Sequence, residues 1–541
     1  MKNILLALLV TLPFLMGGCT KEKGRSFKSQ VLHLNLASDP SSFDPRVARS
    51  LKDLTVTKHL FEGLMSMDED GRPQPALAQE ISISDDCLTY TFYLRDSCWS
   101  NGKPLTAADF EYAWKKVLDP LFATDYSHML YPIKNAKAAR LGKCSLDEVG
   151  VIAIDQNILQ VQLESITPYF LELLAFPTYF PISRAFEESN PSWANRTGKI
   201  SPQEFVCNGP FHLVEWAPTD CIILKKNPLY WDSKAVFLQE IEFTIIASNT
   251  TENHLFEKGK IDWLGQPISN EINSEVLGAL KKENKLQSYP IAGTFWFKFN
   301  TEKAPFDDLK IRKAFSYAIN RQEIITHILQ GNQKPATTPI PPSMSLSNTP
   351  FFHDGDIAYA NRLFDEALAE KRLNREDFPT ITLSYPITER NTKIVQVVQR
   401  QWEEAFCVQV KLNGMEGHHY RHQVKKGEFQ VGTGDWIGDF NDPISFLELF
   451  KYKLDRTSGV GLNDTGWEDP EYIKLLDLSL KITDIQERNA LLQEAERILM
   501  EKMPIAPVYH YSFDYIKQRY LQDVKLSPLG LADFKKARLG T

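Results

Sequence analysis

The segment from Gly434 to Pro443 places three carboxylates among two large aromatic side chains. Asp435, Asp439 and Asp442 are interleaved with Trp436 and Phe440 directly after an apolar strand. A carboxylate sheltered from water can form a charge-assisted pair with a ligand cation, and aromatic side chains can line an apolar pocket. The carboxylates can instead cap a turn or lie in solvent, which we favour for Asp435 and Asp442, and the aromatic side chains can instead fill a core. This segment is the first candidate binding site.

Basic side chains elsewhere are candidate partners for a ligand anion. Between Gly293 and Asn300, the alternation of side chains predicts a strand that carries Trp296 and Lys298 on one face. Surface charges are usually solvated, so the remaining basic residues are weaker candidates. They are Arg390, Arg421 and Lys425.

Three histidines raise the alternative of a metal site. If the stretch that holds His418, His419 and His422 is helical, the first and last of them share one face at a spacing of i, i+4. Two imidazoles in that arrangement can bind a transition metal. No third ligand is evident from the sequence, so we favour solvated histidines and expect neither a metal nor another cofactor.

Known catalytic motifs are missing from the chain. It has no G-x-S-x-G, H-E-x-x-H, P-loop or Gly-rich dinucleotide fingerprint. A catalytic triad dispersed along the sequence would escape such a search. We nevertheless predict a binding protein and not an enzyme.

The N-terminus indicates export. Lys2 precedes an apolar run from Ile4 to Met16, about half the length that spans a bilayer. Small residues follow directly before Cys19, which resembles a bacterial lipoprotein signal whose cysteine is acylated. We expect a signal peptide over 1–18, an acylated Cys19 with a tether over 19–30, and no membrane-spanning segment in the remainder. An ordinary signal peptide with an incidental cysteine is the alternative.

Composition restricts the partners and the architecture. The chain has 61 Lys and Arg against 69 Asp and Glu, and loss of Lys2 with the signal takes the formal charge from −8 to −9. Nucleic acid is therefore not an expected partner. The roughly 520 residues that remain are too many for one core, so two or three domains are expected.

Six cysteines lie beyond Cys19, none in a zinc-like spacing. Cys87 and Cys98 are predicted to bracket one hairpin, and Cys207 and Cys221 another. Both disulfides across these hairpins and free thiols are compatible with the sequence.

The elements that position these residues alternate between strand and helix. In the first half we predict a strand over Val31–Ala37, helices over Leu51–Met65 and Ala107–Leu118, and strands within Asp86–Arg95 and Val151–Glu164. In the second half we predict helices over Ile311–Ile328, Tyr359–Lys371, Ile394–Phe406 and Asp484–Met500, and strands over Thr380–Tyr385, Val408–Leu412 and Phe429–Gly434. This alternation indicates an α/β protein with a partly parallel sheet covered by helices.

A series of motifs resembles the extracellular solute-binding proteins of family 5, in particular their oligopeptide-binding branch. The motifs occur in the family's order and extend over nearly the whole chain after the signal. They are Leu60-Phe61-Glu62-Gly63-Leu64, Tyr90 to Arg95, Trp99 to Phe110, Asn208-Gly209-Pro210-Phe211, Lys226 to Trp231, Lys303 to Asp308 and Arg312-Lys313-Ala314-Phe315. We expect these residues to build the scaffold and not the site.

The resemblance implies a two-lobed, three-domain periplasmic-binding-protein fold of the cluster C type. The expected main domain of lobe 1 comprises 31–50, 190–292 and 508–541. The expected accessory domain of lobe 1 is 51–189, and lobe 2 is 293–507. Such a protein closes like a hinge on its ligand.

The resemblance also implies a function and several site residues. It implies a monomeric substrate-binding subunit of an ABC importer, lipid-anchored at the periplasmic face of a membrane, that delivers short peptides to a permease with its ATPase subunits. Asp439 matches the aspartate that pairs with the peptide ammonium in this family, and Ser38 and Asp39 match a segment whose backbone runs beside the peptide. Lys298 occupies a position that is acidic in relatives. Haem, a nickel chelate or a muropeptide as ligand, and an adhesin or sensor function, are the alternatives.

Overall fold

A computed structural model describes residues 29–540 except 69, 192, 194–200, 348 and 458–460, and it leaves the side chains of residues 274 and 275 undescribed. The signal segment over 1–18 and Cys19 therefore lie outside the described residues. None of the described helices is both long enough and apolar enough to cross a lipid bilayer.

The helices range from single turns to five turns. They are α1 (Leu51–Leu60), α2 (Ala107–Leu118), α3 (Ala136–Arg140), α4 (Phe170–Leu173), α5 (Arg184–Ser189), α6 (Asn249–Glu257), α7 (Ser274–Lys282), α8 (Leu309–Tyr317), α9 (Arg321–Ile324), α10 (Ile357–Lys371), α11 (Glu389–Phe406), α12 (Gly417–Lys425), α13 (Ile444–Leu447), α14 (Pro470–Ser479) and α15 (Ile485–Lys502).

Most strands are short, and two are much longer than the others. The strands are β1 (Val31–Asn35), β2 (Met65–Met67), β3 (Pro73–Pro75), β4 (Ala78–Ile83), β5 (Thr89–Leu94), β6 (Val151–Ala153), β7 (Ile158–Gln162), β8 (Phe211–Ala217), β9 (Cys221–Lys226), β10 (Glu240–Thr244), β11 (Trp263–Gly265), β12 (Gln287–Phe299), β13 (Lys334–Pro335), β14 (Ile381–Pro386), β15 (Val410–Met415), β16 (Val431–Ile437), β17 (Ile505–Lys517), β18 (Leu521–Gln522), β19 (Lys525–Leu526), β20 (Ala532–Asp533) and β21 (Arg538–Leu539).

Two four-stranded sheets form the first lobe. One has the order β1-β10-β9-β8 and the other β4-β5-β7-β6. Helix α1 packs against β8 of the first sheet, and Gly209 lies so close to Leu60 that an added Cβ would come within 2.5 Å of the Leu60 backbone. Helix α2 covers β6 and β7 with its buried face, which includes Phe110 and Trp114.

A seven-stranded sheet forms the second lobe and connects it to the first. Its order is β11-β17-β12-β16-β14-β15, and β13 adds to β17. The long strands β12 and β17 pair along most of their length, with register shifts between Pro290 and Thr294 and between Phe295 and Trp296. Phe295, Phe297 and Phe299 face a core shared with α8, α10 and α11. Trp296 faces the other side of the sheet and packs against Phe450.

The predicted α/β class is confirmed, including the partly parallel sheet. Strand β14 runs parallel to both β15 and β16, and β1 runs parallel to β10. Helix α2 has the predicted bounds, and Asp109 caps it by accepting a hydrogen bond from the Thr106 N–H at 2.8 Å.

Two predicted helices are too long. Helix α1 ends at Leu60 because Phe61 is extended, and β2 begins at Met65. The predicted helix over Ile311–Ile328 is interrupted after Tyr317, where the Asn320 side chain caps the short helix α9. A π-helical turn follows it over Ile325–Leu329.

The six cysteines after Cys19 are free thiols in the structure. The prediction that two pairs of them, Cys87 with Cys98 and Cys207 with Cys221, each bracket a hairpin is wrong. Cys87 lies in the turn before β5 and Cys98 after it, so this pair flanks a single strand. Cys207 precedes β8 and Cys221 begins β9, so the second pair also spans one strand and its turn.

Candidate functional site

Strand β16 carries the candidate segment into the space between the two lobes, which we call the cleft. It lies between β12 and β14, antiparallel to the first and parallel to the second. After Ile437 the chain leaves the sheet and turns into α13, and this turn contains Asp439 and Phe440. The segment therefore starts on the floor of the second lobe and ends against the first lobe.

Asp439 presents its carboxylate to the cleft without a protein partner. Its backbone N–H donates to the Ser445 hydroxyl at 3.2 Å, but the carboxylate has no hydrogen bond or ion pair with any residue that the structure describes. Burial raises the pKa of Asp439 to about 6, and nearby His128 partly opposes this shift. A half-buried carboxylate with no partner of its own is suited to binding a cation.

Two cavities meet at Asp439. The more apolar one, of about 410 Å³, lies between Tyr169 and Leu173 of the first lobe and Phe440 and Ile444 of the second. The other, of about 420 Å³, is more polar and includes Arg49, Asp125, Tyr126 and Asp435. Burial and the charge of Asp439 together raise the pKa of Tyr126 to about 12. Asp439 therefore lies where residues of both lobes come together.

The two neighbouring aspartates have different environments. Asp442 is buried and forms a bidentate ion pair with Arg488, at 2.7 and 2.8 Å, and it also caps α13 through the Ile444 N–H. Asp435 faces the cleft and accepts a hydrogen bond from the Tyr511 hydroxyl at 3.2 Å. Burial raises the pKa of Asp435, and Tyr511, Arg390 and Lys298 oppose this shift.

Trp436 and Phe440 both line the apolar cavity beside Asp439. The Phe440 ring is 9% exposed and stacks on Tyr169 of the first lobe, with ring centroids 4.5 Å apart. Trp436 is half-buried, and its indole N–H finds no hydrogen-bond partner among the described residues. Both aromatic side chains therefore line the cleft, and Phe440 also packs against the first lobe.

Lys298 lies in a separate pocket of the second lobe, which we call the Lys298 pocket. The ammonium group contacts the Asp464 carboxylate at 2.5 Å and lies 5.6 Å from the centre of the Tyr420 ring. Trp296 lines the same pocket, as the predicted alternation requires. Asp464 and Tyr420 raise the pKa of Lys298 against the opposing effect of burial.

The other basic candidates are divided between two places. Arg390 lies in the first turn of α11, pairs with Glu271 and lies 5.9 Å from the Tyr511 ring. Glu271 and Tyr511 raise the pKa of Arg390 against burial, so its charge is secure. Lys425 and Arg421 lie on the exposed side of α12, at the mouth of the Lys298 pocket.

Ser38 and Asp39 lie on the turn after β1, away from Asp439. The Ser38 hydroxyl accepts a hydrogen bond from Lys52 at 3.2 Å. The Asp39 carboxylate accepts from the Thr219 backbone N–H at 3.0 Å, and so it holds the turn between β8 and β9. Neither side chain lines the two cavities that contain Asp439.

The histidines of α12 are helical and exposed. Glu416 caps this helix by accepting from the N–H groups of His418 and His419. In the described part of the chain, no three His, Cys, Asp or Glu side chains are grouped closely enough to hold a metal ion.

Several residues of the cleft were not predicted from the sequence. His128 and Tyr169 come from the first lobe, Glu271 lies at its edge, and Asp464 and Tyr511 come from later parts of the chain. None of them belongs to a motif near the Gly434–Pro443 segment. Only the long-range packing of the two lobes brings them to it.

Comparison with known proteins identifies the family. The family model described as bacterial extracellular solute-binding proteins, family 5, middle region, matches residues 72–458. The chain is 41% identical to the oligopeptide-binding protein OppA of Bacillus subtilis, over 94% of this chain and 92% of that protein.

Solved structures extend the similarity to the fold. The murein tripeptide-binding protein MppA of Escherichia coli matches with a TM-score of 0.76 at 29% identity, over 94% of this chain and 98% of that one. OppA of Listeria monocytogenes bound to peptide matches with a TM-score of 0.73 at 28% identity, over 95% and 99% of the two chains. The expected two-lobed α/β fold is confirmed, and this chain belongs to the bacterial extracellular solute-binding proteins of family 5.

Proposed function

We propose that this protein binds short oligopeptides as the substrate-binding subunit of an ABC importer and delivers them to the permease and its ATPase subunits. The names of its relatives support peptide as the ligand, since OppA of Bacillus subtilis is an oligopeptide-binding protein and the Listeria monocytogenes structure contains a peptide. Its activity is capture and release of a solute and not catalysis.

The observation that carries this proposal is the unpartnered carboxylate of Asp439 at the meeting point of the lobes. A peptide's α-ammonium supplies the missing partner, and the charge-assisted contact is shared by peptides of any sequence. Trp436 and Phe440 provide apolar walls for side chains, as promiscuous binding requires. Lys298, Arg390 and Lys425 are cations for the carboxylates of the ligand.

Main-chain recognition completes the proposed site. The backbone around Ser38 and Asp39 pairs with the extended peptide by strand addition, so the identity of these side chains matters less than the geometry of the turn. This role is compatible with the contact between Asp39 and Thr219, because that contact fixes the turn and leaves backbone groups to the ligand.

Ligand capture is coupled to closure of the cleft. In the proposed division, 31–50, 190–292 and 508–541 form the main domain of lobe 1, 51–189 its accessory domain and 293–507 lobe 2. A ligand that contacts both lobes favours the closed state in proportion to its differential affinity for that state. The closed monomer then signals occupancy to the permease.

The protein acts in the cell envelope, at the periplasmic face of a membrane. The signal segment over 1–18 directs export, acylation of Cys19 supplies the anchor, and the tether over 19–30 separates it from the folded lobes. A single acyl chain binds a membrane only reversibly, so lasting attachment of the protein requires a second acyl chain beside the one on Cys19.

Calorimetric titration of the unacylated mature protein tests the proposal, after bound ligand has been removed by unfolding and refolding. We expect di- to hexapeptides with a free amine to bind and to raise the melting temperature. The Asp439→Asn variant should bind them about 100-fold more weakly, because a buried charge pair is lost. Asp435→Asn removes a carboxylate from the same cleft and serves as the matched control.

N-acetylation of the peptide should reproduce the loss in the wild type and add nothing in Asp439→Asn. Equal affinity of blocked and free peptides would refute the role of Asp439. Stabilisation by haem or a nickel chelate alone would refute the peptide ligand. Exclusive binding of muropeptides would narrow the ligand class from peptides to muropeptides. Binding without permease-dependent uptake would indicate an adhesin or sensor.

A further inference from the structure

The Lys298 pocket is a partly open space of about 290 Å³ beside the proposed peptide site. Its walls are the aromatic side chains of Trp296, Tyr420, Trp436 and Phe450. Its floor is β16, where Gly434 has no side chain and an added Cβ would come within 2.6 Å of the Trp296 indole nitrogen. The pocket therefore exists because this strand carries glycine where its neighbour carries a large ring.

The pocket is built around a buried ion pair that leaves hydrogen-bonding capacity unused. The Lys298 ammonium contacts Asp464 at 2.5 Å, and their side chains are 11% and 17% exposed. An ammonium has three N–H donors, and Asp464 accepts the one hydrogen bond that the Lys298 ammonium makes within the described residues. Two donors thus remain for a ligand.

The mouth of the pocket adds positive charge. Arg421 and Lys425 project from one face of α12, and neither forms an ion pair with any residue that the structure describes. Asp435, the second carboxylate of the lining, is engaged by Tyr511. The lining therefore carries three cations against two carboxylates, a net charge of +1, although the chain as a whole has a formal charge of −8.

We propose that the Lys298 pocket selects peptides that carry an acidic side chain at one position and rejects lysine and arginine there. A glutamate stem packs between the aromatic walls while its carboxylate accepts hydrogen bonds from Lys298 and attracts Arg421 and Lys425. A basic side chain would instead meet a lining of net positive charge with Arg421 and Lys425 at its mouth, and like-charge contacts are costly.

This inference rests on the proposed function, because the peptide's α-ammonium at Asp439 fixes the position of the chain. Trp436 lines both the cavity beside Asp439 and the Lys298 pocket, so the two spaces are adjacent. The side chain in the pocket consequently belongs to a residue after the first one.

Substituted tetra-alanine peptides provide the test. Glutamate, glutamine or lysine replaces alanine at the second, third or fourth position, and each affinity is measured by calorimetry on the ligand-free mature protein. We expect one position at which the glutamate peptide binds at least tenfold more tightly than the lysine peptide, with glutamine between them.

Charge reversal at the exposed mouth separates this preference from general electrostatics. The double variant Arg421→Glu and Lys425→Glu should remove or invert the preference at that position, measured as the affinity of each substituted peptide relative to tetra-alanine in the same variant. The matched control is Lys426→Glu, the next residue along the chain, which is exposed but does not line the pocket. Lys298→Met combined with Asp464→Asn tests the buried pair without leaving an unpaired charge, and it should also abolish the preference.

Equal binding of the glutamate, glutamine and lysine peptides at every position, or tighter binding of lysine, would overturn the inference and leave the proposed function intact. A preference for glutamate that survives both double variants would overturn it as well. Failure of every peptide to bind, tetra-alanine included, would overturn the proposed function and this inference with it.

Discussion

Single residues of the Gly434–Pro443 segment differ in whether the protein already satisfies their charge. Asp442 has Arg488 as a bidentate partner, and Asp435 has the Tyr511 hydroxyl. The Asp439 carboxylate, between them in sequence, forms no hydrogen bond or ion pair with any residue that the structure describes, and burial raises its pKa to about 6. Its carboxylate is thus held ready for an external cation at a cost to the stability of the ligand-free protein.

Asp439 should make peptide affinity depend on pH. The ammonium pairs with the ionised carboxylate, so we expect affinity to be constant above pH 7 and to fall about tenfold per unit below pH 6. Calorimetry between pH 5 and pH 8 measures this slope. An N-acetylated peptide and the Asp439→Asn variant should both show a flat profile, and a slope that persists in either would contradict the assignment.

The same residue should affect stability in the opposite direction. The pKa of Asp439 is about 6 in the folded protein and 3.8 ordinarily, so ionisation above pH 6 disfavours the folded state. We expect ligand-free Asp439→Asn to melt at a higher temperature than the wild type at pH 7.5. The difference should shrink as pH falls through 6 and vanish below about 3.8, where both states are protonated. Thermal melts at three pH values check this order.

At the scale of elements, β16 shapes the site through the side chains that it lacks. Gly432 and Gly434 lie opposite Lys298 and Trp296 in the register with β12. Added Cβ atoms would come within 2.7 Å of the Tyr420 hydroxyl and 2.6 Å of the Trp296 indole nitrogen, respectively. The strand therefore serves both as a central sheet element and as the floor of a pocket.

Substitution Gly434→Ala should damage this element. Trp296 is 6% exposed and packed against Phe450, so its ring cannot move freely away from the new methyl group. We expect the free energy of unfolding to fall by about 1–3 kcal/mol, as in other overpacked cores. Urea denaturation measures the change.

Gly417→Ala is the matched control for that experiment. Gly417 begins α12 in the same lobe, and an added Cβ would meet only Arg421 at 3.6 Å. Alanine in a helix loses less conformational freedom on folding, so this variant should be stabilised by about 0.5–1 kcal/mol. Equal effects of the two substitutions would contradict the packing argument for β16.

At the scale of the whole molecule, two strands and a few side-chain contacts connect the lobes. Strands β12 and β17 pair with each other, and β17 also pairs with β11. In the proposed division both long strands pass from one lobe to the other. Tyr169 of the first lobe stacks on Phe440 of the second, and the Asn441 side chain donates to the Gly71 carbonyl at 3.1 Å. These contacts surround Asp439, so ligand binding and lobe contact occur in one place.

Tyr169→Ala should shift the molecule towards the open state. An aromatic pair contributes about 1 kcal/mol beyond its buried area, which corresponds to about fivefold weaker peptide binding. Small-angle scattering of the ligand-free variant should show a larger radius of gyration. Tyr169→Phe keeps the stacked ring and should behave as the wild type, and an unchanged scattering profile in Tyr169→Ala would show that the stack does not hold the lobes together.

The sequence by itself determined the α/β class, the family and the segment that carries the proposed site. Period-two and helical patterns depend on neighbouring residues, so α2, β16 and the shared face of Trp296 and Lys298 could be predicted locally. The lengths of the helices depend also on tertiary contacts, and the helix predicted over Ile311–Ile328 is in fact interrupted after Tyr317.

Only the tertiary structure decided which charges are satisfied. Asp439 and Asp442 lie three residues apart after the same strand, and Arg488 on α15 pairs with Asp442 while the Asp439 carboxylate is left to the cleft. Asp464 likewise engages Lys298 from a distant segment, and Tyr169 closes the cavity from the other lobe. The reason is physical: the state of a carboxylate depends on burial and on partners within a few ångströms, and long-range packing of the chain supplies both.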